Sequence, residues 1–322
     1  MSHSMCSIIA VGLMIAAGVS AAGLTQHQFM AEFALEQGVA PHIAEFLSPH
    51  TAVLMNGGSF VDAGYAAFNS EMSNQMHRTS FISAFAAHVR STYSPPFTGH
   101  ERLLAFVMGT ASHVANDGPY HSGFVAAVAD HDFNGDYDVA HTMCDTGLEF
   151  LTLTDFDRWW DLPCLWLPVD DIAAAFQRLG YSHPEQDMIR GNMVLGLAAY
   201  LERMVARAVD GFVISVMPWG AENYYGYPDG GLLNGACLTA AYYEDVWNQV
   251  HGGPGVISRE RAVSQQAQAA DQDVFWELAR RCLDEQIVAM DWQRLPDGSV
   301  LINPPRIIDQ AALDRLLATV VN

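Results

Sequence analysis

Histidine and aspartate recur at four-residue spacing in one segment of the chain. His113, Asp117 and His121 are each separated by four residues, and His141 is followed four residues later by Asp145. On a helix, side chains four residues apart lie on one face, about one turn apart. Imidazole and carboxylate groups are ligands that zinc accepts, and bound zinc can activate water and polarise phosphoryl oxygens. The spacing therefore predicts two helical faces that together form a metal site.

The combination of these pairs is more informative than any single pair. Three His-x-x-x-Asp pairs occur, where chance gives about one at this histidine and aspartate content. The pair formed by His183 and Asp187 lies in a Ser-His-Pro-Glu-Gln stretch typical of a turn, and we attribute it to chance. For the other two pairs the alternative is a buried hydrogen-bond network or surface capping, because polar groups beside a core need partners.

The loop 130–136 between the two faces is rich in aspartate and glycine. Its sequence, Asp-His-Asp-Phe-Asn-Gly-Asp, matches the beginning of an EF-hand calcium loop. His141 stands at the twelfth position, where that loop requires a bidentate glutamate. The sequence therefore favours a solvated turn that delivers His141 over a calcium site.

The elements that must carry these side chains are predicted to be helices. Apolar residues recur at helical spacing, and neither an internal repeat nor an alternating strand series is present. The predicted helices cover 29–47, 79–89, 102–114, 188–216 (with Gly191 and Gly196 as close-packing points) and 262–292. Turn clusters fall at 56–58, 94–96, 134–136, 228–231 and 252–255. The last cluster is the candidate domain boundary, and the whole pattern predicts an all-α protein.

The N-terminus has the pattern of a secretory signal. Residues 8–18 form an apolar run too short to span a bilayer, and Val19-Ser20-Ala21 gives a small-x-small cleavage site. We predict a signal peptide over 1–21 and a secreted, extracellular protein; the alternative is an apolar helix that stays attached. Two disulfides, in three connectivities, are permitted by the four remaining cysteines, Cys144, Cys164, Cys237 and Cys282.

The composition excludes several functions. Half of the residues are hydrophobic and only 16% are charged, which excludes a disordered chain. Acidic residues number 36 against 15 basic ones, for a net charge of −21. All the basic residues are arginine, which excludes a P-loop lysine and a Schiff-base lysine. A surface this acidic disfavours a protein that coats nucleic acid.

Two longer segments extend the spacing into a recognisable pattern. Residues 106–121, Phe-Val-Met-Gly-Thr-Ala-Ser-His-Val-Ala-Asn-Asp-Gly-Pro-Tyr-His, resemble the F-x-x-G-x-x-x-H-x-x-x-D-x-x-W-H motif in the zinc domain of glycosylphosphatidylinositol-specific phospholipase D. Residues 132–145, Asp-Phe-Asn-Gly-Asp-Tyr-Asp-Val-Ala-His-Thr-Met-Cys-Asp, resemble its D-F-H-G-S-Y-x-x-A-H-x-x-x-D segment. Shorter matches extend the resemblance over roughly residues 22–250; they lie at 22–27, 60–62, 76–81, 166–171 and 230–232.

The resemblance implies a single all-α domain of the zinc-dependent phospholipase C and nuclease type over 22–255. Residues 256–322 have no counterpart in it and are predicted to form a C-terminal helical extension. Three zinc ions are implied. Their ligands would be the N-terminal amine and carbonyl of Ala22 with His27 for the first, Asp62, His77 and His113 for the second, bridged to the first by Asp117, and His121, His141 and Asp145 for the third.

The implied function is hydrolysis of a phospholipid or glycosylphosphatidylinositol-type phosphodiester, with transient contact with a membrane surface. Asp117 and Asp62 are the carboxylates assigned to catalysis. Two alternatives stay open: a zinc-dependent single-strand nuclease, and a non-catalytic secreted protein that keeps the scaffold. The spacing before His121 follows the phospholipase D type, which together with the acidic charge disfavours nucleic acid as the substrate.

Some residues depart from the pattern or stay outside it. Tyr120 replaces the usual tryptophan before the last histidine of the first motif, and Ala22 replaces an aromatic residue or cysteine. Arg78, beside His77 in the sequence, is interpreted as a surface charge in preference to a phosphate clamp. The unassigned histidines are interpreted as structural or exposed; they are His88 and His100.

Overall fold

Helices form most of the structure, as the apolar periodicity predicts, and the all-α prediction is confirmed. The computed structural model describes residues 24–158, 164–253 and 274–321. In chain order the α-helices are α1 (Leu24–Phe33), α2 (Pro41–Leu47), α3 (Thr51–Phe60), α4 (Ala63–Ala66), α5 (Ser70–Met76), α6 (Thr79–Thr92), α7 (Glu101–Pro119), α8 (Ala126–Asp132), α9 (Tyr137–Asp155), α10 (Val169–Arg178), α11 (Glu185–Val216), α12 (Pro218–Asn223), α13 (Leu232–Val250), α14 (Val274–Asp284) and α15 (Gln310–Val321). A π-helical turn, Tyr120–Val125, joins α7 to α8.

Helices α3 and α7 cross within the core, and glycines set their separation. A methyl group on Gly57 would lie 2.4 Å from the carbonyl oxygen of Phe106, and one on Gly109 would lie 2.0 Å from a carbonyl oxygen of α3. A backbone carbonyl cannot move aside as the end of a flexible side chain can, so only glycine fits at these positions. Since α3 leads into Asp62 and α7 carries His113, the crossing brings two candidate ligands together.

Two predictions near the N-terminal end are wrong in detail. The predicted helix over 29–47 is interrupted between α1 and α2, where Gly38 has a left-handed φ of 93° and Pro41 begins the new helix. The cluster at 56–58, predicted as a turn, lies inside α3. Its glycines serve the contact with α7, a tertiary requirement that the local sequence does not reveal.

The predicted helices over 79–89, 102–114 and 188–216 correspond to α6, α7 and α11. The glycines of α11 are close-packing points, as predicted. A methyl group on Gly191 would lie 2.1 Å from the carbonyl oxygen of Ala63. One on Gly196 would lie 2.2 Å from the side chain of Leu165. The short helix α4 therefore packs directly on the backbone of α11.

The C-terminal residues contribute four of the five strands of two small antiparallel sheets, so the predicted helical extension over 256–322 is not helical throughout. The strands are β1 (Trp166–Leu167), β2 (Val288–Ala289), β3 (Trp292–Arg294), β4 (Val300–Ile302) and β5 (Arg306–Ile307). Strand β4 lies between β1 and β3, and β2 pairs with β5. The helix predicted over 262–292 is wrong at its C-terminal end: α14 ends at Asp284, Gln286 takes a left-handed φ of 56°, and β2 follows. Residues 262–273 lie outside the described residues.

The structure tests some of the remaining predictions and not others. The four cysteines predicted to permit two disulfides are all free. The predicted signal peptide over 1–21, Ala22 and residues 254–255 of the candidate boundary fall outside the described residues. Among the helices of the described segments, none combines the length and apolarity needed to cross a membrane. Phe275 and Val300 belong to the same buried core as the N-terminal helices, so the C-terminal residues pack into the domain.

Candidate metal centre

Eight of the nine predicted ligands lie in the described residues, and the fold brings all eight together. They form three groups in which one ligand atom per residue lies within 4.8 Å of the others. The groups are the Asp62 group (Asp62, His77 and His113), the His27 group (His27, His113 and Asp117) and the His141 group (His121, His141 and Asp145). His113 belongs to two groups, and Asp117 Oδ1 lies 3.1 Å from His121 Nε2 of the third. The three groups are therefore contiguous.

Different elements supply these side chains. The carriers are α1 for His27, the turn before α4 for Asp62, the residue after α5 for His77, α7 for His113 and Asp117, the π-helical turn for His121, and α9 for His141 and Asp145. No two of the three groups draw on the same set of elements. The metal centre therefore depends on how the helices pack, and the sequence spacing accounts only for the pairs on α7 and α9.

In the Asp62 group two imidazole nitrogens face each other. Nδ1 of His77 donates to the carbonyl oxygen of Ser73 at 2.8 Å, and Nδ1 of His113 donates to that of Gly58 at 2.7 Å. The Nε2 atoms of the two rings are thereby turned into the group, 3.1 Å apart. They lie 3.4 and 3.9 Å from Asp62 Oδ1. Hydrogen bonds from the outer nitrogen orient histidine ligands in this way in metal sites.

These separations fit a zinc ion. Tetrahedral coordination with bonds of about 2.0–2.1 Å places the ligand atoms about 3.4 Å from one another. The three separations in the Asp62 group run from 3.1 to 3.9 Å. When both rings are neutral with the proton on Nδ1, each Nε2 atom has a lone pair, so a cation between the two atoms would satisfy both.

Three buried polar atoms of the centre also lack a hydrogen-bond partner in the described part of the chain. They are His27 Nδ1, Asp62 Oδ2 and His121 Nδ1. Buried polar groups are nearly always satisfied, so a cluster of exceptions at one place indicates a ligand that the protein itself does not provide. The donor set of imidazole and carboxylate suits zinc among the common metals.

Three of the imidazoles are held in the neutral form. Burial lowers the pKa of His27 to about 4 and lowers the pKa values of His113 and His141 to about 3. The ring of His27 also stacks on that of His113, with centroids 3.8 Å apart. Neutral imidazole is the form that binds a metal ion, so these rings are ready ligands at neutral pH.

The other two imidazoles are drawn towards the charged form by neighbouring carboxylates. Burial opposes the charge on His77, but its hydrogen bond with Asp62 and the charge of Asp117 raise its pKa to about 9. Burial likewise opposes the charge on His121, but Asp117 and Asp145 raise its pKa to about 9. Against its own burial, Asp117 has a pKa well below the usual range because His121 is beside it. The centre thus attracts the positive charge that a divalent cation would provide.

The His141 group is the more accessible end of the centre. His141 Nε2 lies 3.3 Å from Asp145 Oδ2, and the rings of His121 and His141 have centroids 4.5 Å apart. The side chains of these two histidines are 15% (His141) and 12% (His121) exposed, whereas that of His113 is completely buried. The centre is therefore more open to solvent beside His121 and His141 than beside His113.

A π-helical turn and a neighbouring loop place His121. Such wide turns are uncommon and recur at functional sites. A methyl group on Gly123 of this turn would lie 2.3 Å from the carbonyl oxygen of Asp229, and one on Gly230 would lie 2.3 Å from that of Pro119. The predicted turn at 228–231 thus packs backbone against backbone on the turn that carries His121. The hydroxyl of Tyr137 donates to the carbonyl oxygen of His121 at 3.2 Å from the other side.

Replacing Gly123 with alanine is expected to weaken metal binding at the His141 group. The added methyl group displaces either the loop at Asp229 or the turn that holds His121, and groups that orient ligands typically change metal affinity about 10–100-fold. Zinc titration of the purified variant measures the effect. Gly226→Ala, in the same loop but with open space at its Cβ, is the matched control. Equal zinc affinity in the two variants would show that the loop does not position His121.

The remaining candidate residues lie elsewhere. Arg78 is exposed at the start of α6, in line with its interpretation as a surface charge. His88 Nε2 pairs with Asp171 Oδ1 at 2.7 Å, and His100 is exposed against Tyr93. Both histidines are therefore structural or exposed, as predicted.

His183 and the aspartates of the segment 130–136 form hydrogen bonds that hold helices in place. His183 Nε2 lies 2.8 Å from Gln75 Oε1, within a side-chain network between α5 and the start of α11. Residues 130–132 of the predicted turn belong to the end of α8, where Asp132 accepts hydrogen bonds from the N–H groups of Trp219 and Gly220 in α12. Asp136 caps α9 by accepting from the N–H of Val139 at 3.2 Å. The loop therefore holds helix ends, in agreement with a turn that delivers His141.

Sequence reasoning missed residues that support the ligands. The hydroxyl of Ser73 donates to the carbonyl oxygen of Val61 at 2.8 Å and accepts from the N–H of Tyr65 at 3.1 Å, so it ties both sides of Asp62 to α5. Glu149 accepts from the N–H of Thr25 at 2.8 Å, at the start of the helix that carries His27. A lone serine and a lone glutamate carry no spacing signal, so only the packing of the helices reveals these roles.

The fold and the site together define an all-α protein with three contiguous groups of His and Asp side chains that could hold metal ions. The chain is a distant homologue of phosphatidylinositol-glycan-specific phospholipase D. It is 27% identical over 238 residues to that protein from Dictyostelium discoideum, which covers 70% of this chain and 25% of the relative. It is 28% identical over 181 residues to that from Homo sapiens, covering 50% of this chain and 21% of the relative. The chain thus matches about a quarter of the length of these relatives.

One further similarity of this chain does not indicate a function. An uncharacterized protein of Saccharomyces cerevisiae, YJL132W, is 27% identical over 175 residues, covering 49% of this chain and 22% of the relative. No protein-family model matches the chain, and no solved structure matches it significantly. The resemblance found in the motifs is therefore supported at the level of distant homology to the phospholipase D relatives.

Proposed function

We propose that this chain is a secreted zinc-dependent phosphodiesterase that hydrolyses a phospholipid or a glycosylphosphatidylinositol-type phosphodiester. The observation that carries the proposal is the convergence of eight histidine and aspartate side chains into three contiguous groups. The relatives are named for phosphatidylinositol-glycan, which supports a phosphodiester in a lipid headgroup as the substrate.

Three zinc ions are proposed, one for each group. The Asp62 group and the His141 group would each hold one ion, and His27 with the amine and carbonyl of Ala22 would hold the third, bridged by Asp117 to the Asp62 group. Zinc supplies Lewis acidity towards phosphate oxygens and lowers the pKa of a coordinated water towards neutrality. Asp117 is the residue placed to link the groups, because its carboxylate belongs to the His27 group and also contacts His121.

The protein's own residues would orient the reaction. The rings of His77 and His113 are fixed by their Nδ1 hydrogen bonds to backbone carbonyls, so their Nε2 atoms stay directed inwards. Asp62 and Asp117 place negative charge against the buried imidazoles. His121 and His141, at the more exposed side, would receive the phosphate end of a substrate. Full burial of His113 keeps bulk water from the inner end of the centre.

The net charge of the protein favours a substrate with a single phosphodiester over a long polyanion such as nucleic acid. Three zinc ions would add six positive charges and change the formal charge from −21 to −15. That positive charge would be concentrated at the centre, while the remaining surface stays acidic and repels extended nucleic acid. The chain has no lysine to bind phosphate, so the metal ions would supply the charge that lysine does not.

Zinc content and substrate range test the proposal directly. The protein beginning at Ala22 is purified, its zinc is counted by elemental analysis, and hydrolysis is measured on a glycosylphosphatidylinositol-anchored protein, phosphatidylinositol, phosphatidylcholine and single-stranded DNA. We expect two to three zinc ions per chain and release of the anchored protein or lipid headgroup. Fewer than two zinc ions would refute the metal centre, and hydrolysis of DNA alone would favour the nuclease.

Matched histidine variants separate the site from general effects. His113→Ala removes a ligand shared by two groups and is expected to lose most of the bound zinc and the activity. His100→Ala, an exposed histidine outside the three groups, is expected to keep both. A fully loaded wild-type protein that hydrolyses none of the substrates would indicate a non-catalytic protein that keeps the scaffold.

A further inference from the structure

The C-terminal residues contact the stretch that carries Asp62, although they lie more than 200 positions away in sequence. Helix α14 and strand β4 both belong to the described segment 274–321. Arg280 of α14 contacts the end of α4, and Ser299, the residue before β4, connects through Trp166 to α3. Since α3 precedes Asp62 and α4 follows it, the two contacts lie on either side of this candidate ligand.

Arg280 is a buried cation directed at backbone carbonyls. Arg280 is only 3% exposed. Its Nε donates to the carbonyl oxygen of Ala66 at 3.0 Å, and its Nη2 donates to the carbonyl oxygen of Tyr65 at 3.2 Å. These carbonyls belong to the last turn of α4, where the side chain of a cationic residue can hydrogen-bond the final carbonyl oxygens of a helix. The guanidinium also lies 4.0 Å from the centre of the Phe68 ring, just beyond the helix.

Helix α4 is held on its other sides by rigid groups. Gly191 of α11 allows the backbone of α4 to approach so closely that a methyl group would lie 2.1 Å from the carbonyl oxygen of Ala63. The hydroxyl of Ser73 connects Val61 and Tyr65 on either side of Asp62. A four-residue helix is too short to be stable alone. The hydrogen bonds from Arg280, together with the contacts of Gly191 and Ser73, therefore fix the position of α4.

The second contact supports the residues before Asp62. The indole Nε1 of Trp166 donates to the hydroxyl oxygen of Ser299 at 2.9 Å. The carbonyl oxygen of the same tryptophan accepts from Asn56 Nδ2 at 2.9 Å, and Asn56 lies in α3. Strand β1, which contains Trp166, is also paired with β4. The C-terminal segment is thus connected to both helices that flank Asp62.

We infer that Arg280 is a positioning residue for the metal ion of the Asp62 group, and that the C-terminal segment is part of the apparatus that assembles the metal centre. The inference rests on the proposed zinc site. Arg280 acts by holding α4, whose first residue, Ala63, follows Asp62. Loss of Arg280 releases that end of α4 and lets the Asp62 carboxylate leave its position beside His77 and His113.

Site-resolved zinc titration tests the inference. Ring signals of His77 and His141 are followed by NMR in wild type, Arg280→Gln and Arg280→Lys during addition of zinc, and thermal unfolding is measured before zinc is added. We expect Arg280→Gln to weaken zinc binding at His77 about 10–100-fold and to leave binding at His141 unchanged. Arg280→Lys, which retains a cation with donors, is expected to recover part of the loss.

A control variant on the same helix shows whether the effect belongs to Arg280 alone. Arg281→Gln removes an exposed arginine that pairs with Glu285 and is expected to bind zinc like wild type. Wild-type affinity at His77 in Arg280→Gln would overturn the inference, as would equal weakening at His77 and His141 in step with a lower unfolding temperature. If Arg280→Gln does not fold, Arg280→Lys provides the same comparison. A wild-type protein that binds fewer than two zinc ions would instead refute the proposed function.

Discussion

Replacing Asp117 with asparagine is expected to lower phosphodiesterase turnover by at least about 10³-fold, or about 4 kcal/mol of transition-state stabilisation. Asp117 belongs to the His27 group and contacts His121 of the His141 group. The substitution removes the negative charge that bridges these groups but keeps the size of the side chain. Zinc-loaded wild type and variant are compared by kcat/KM on the substrate identified for the wild-type protein, and zinc is counted in both.

The matched control for this prediction is Asp130→Asn. Asp130 is an exposed carboxylate on α8 and belongs to none of the three groups. It is expected to keep wild-type turnover and zinc content, because removal of one surface charge from a protein of net charge −21 changes the field at the centre little. Retention of more than a tenth of wild-type turnover by Asp117→Asn would remove Asp117 from the proposed bridging role.

The largest expected effect on stability comes from Gly109→Ala. The new methyl group would lie 2.0 Å from the carbonyl oxygen of Leu54 and 2.9 Å from the Cα of Gly57, all backbone atoms of the facing helix. Relief requires α3 and α7 to separate and opens the packing around them. We expect a loss of about 3 kcal/mol or more of unfolding free energy, or failure to fold, measured by denaturant unfolding in the presence of chelator.

The same helix offers the control for this substitution. Gly118 also lies in α7, but nothing lies within 4 Å of the position its methyl group would take. Alanine there should stabilise the helix by up to about 1 kcal/mol, because glycine is a poor helix former. The two variants make the same chemical change in one helix, so their difference isolates the contact with α3. Similar unfolding free energies in both would contradict the close crossing of α3 and α7.

The two predictions address different parts of the same arrangement. Gly109 allows α3 and α7 to approach, and this approach places Asp62 near His113, whereas Asp117 connects the groups after the helices have packed. Gly109→Ala is therefore expected to lose both the fold and the zinc site. Asp117→Asn is expected to keep the fold and to lose turnover. Comparing unfolding free energy with zinc content separates these two cases.

The sequence by itself determined the helical class and the ligand pairs within single helices. The pairs His113–Asp117 and His141–Asp145 are readable because residues four apart share a helix face, whatever the tertiary structure. Most long helices followed from apolar periodicity, although the breaks at Gly38 and Gln286 did not. The glycines at 56–58 were misread as a turn because glycine serves both turns and close helix contacts, and only the partner helix distinguishes them.

Only the tertiary structure decided which side chains meet. His27, Asp62 and His77 lie far from α7 in sequence and carry no spacing signal of their own; the resemblance alone suggested them, and packing brings them beside His113. The roles of Ser73, Glu149 and Arg280 depend on contacts across the fold that no periodicity encodes. Periodicity reports on one helix at a time, whereas a metal centre needs atoms from several elements within a few ångströms, and close packing of those elements sets that distance.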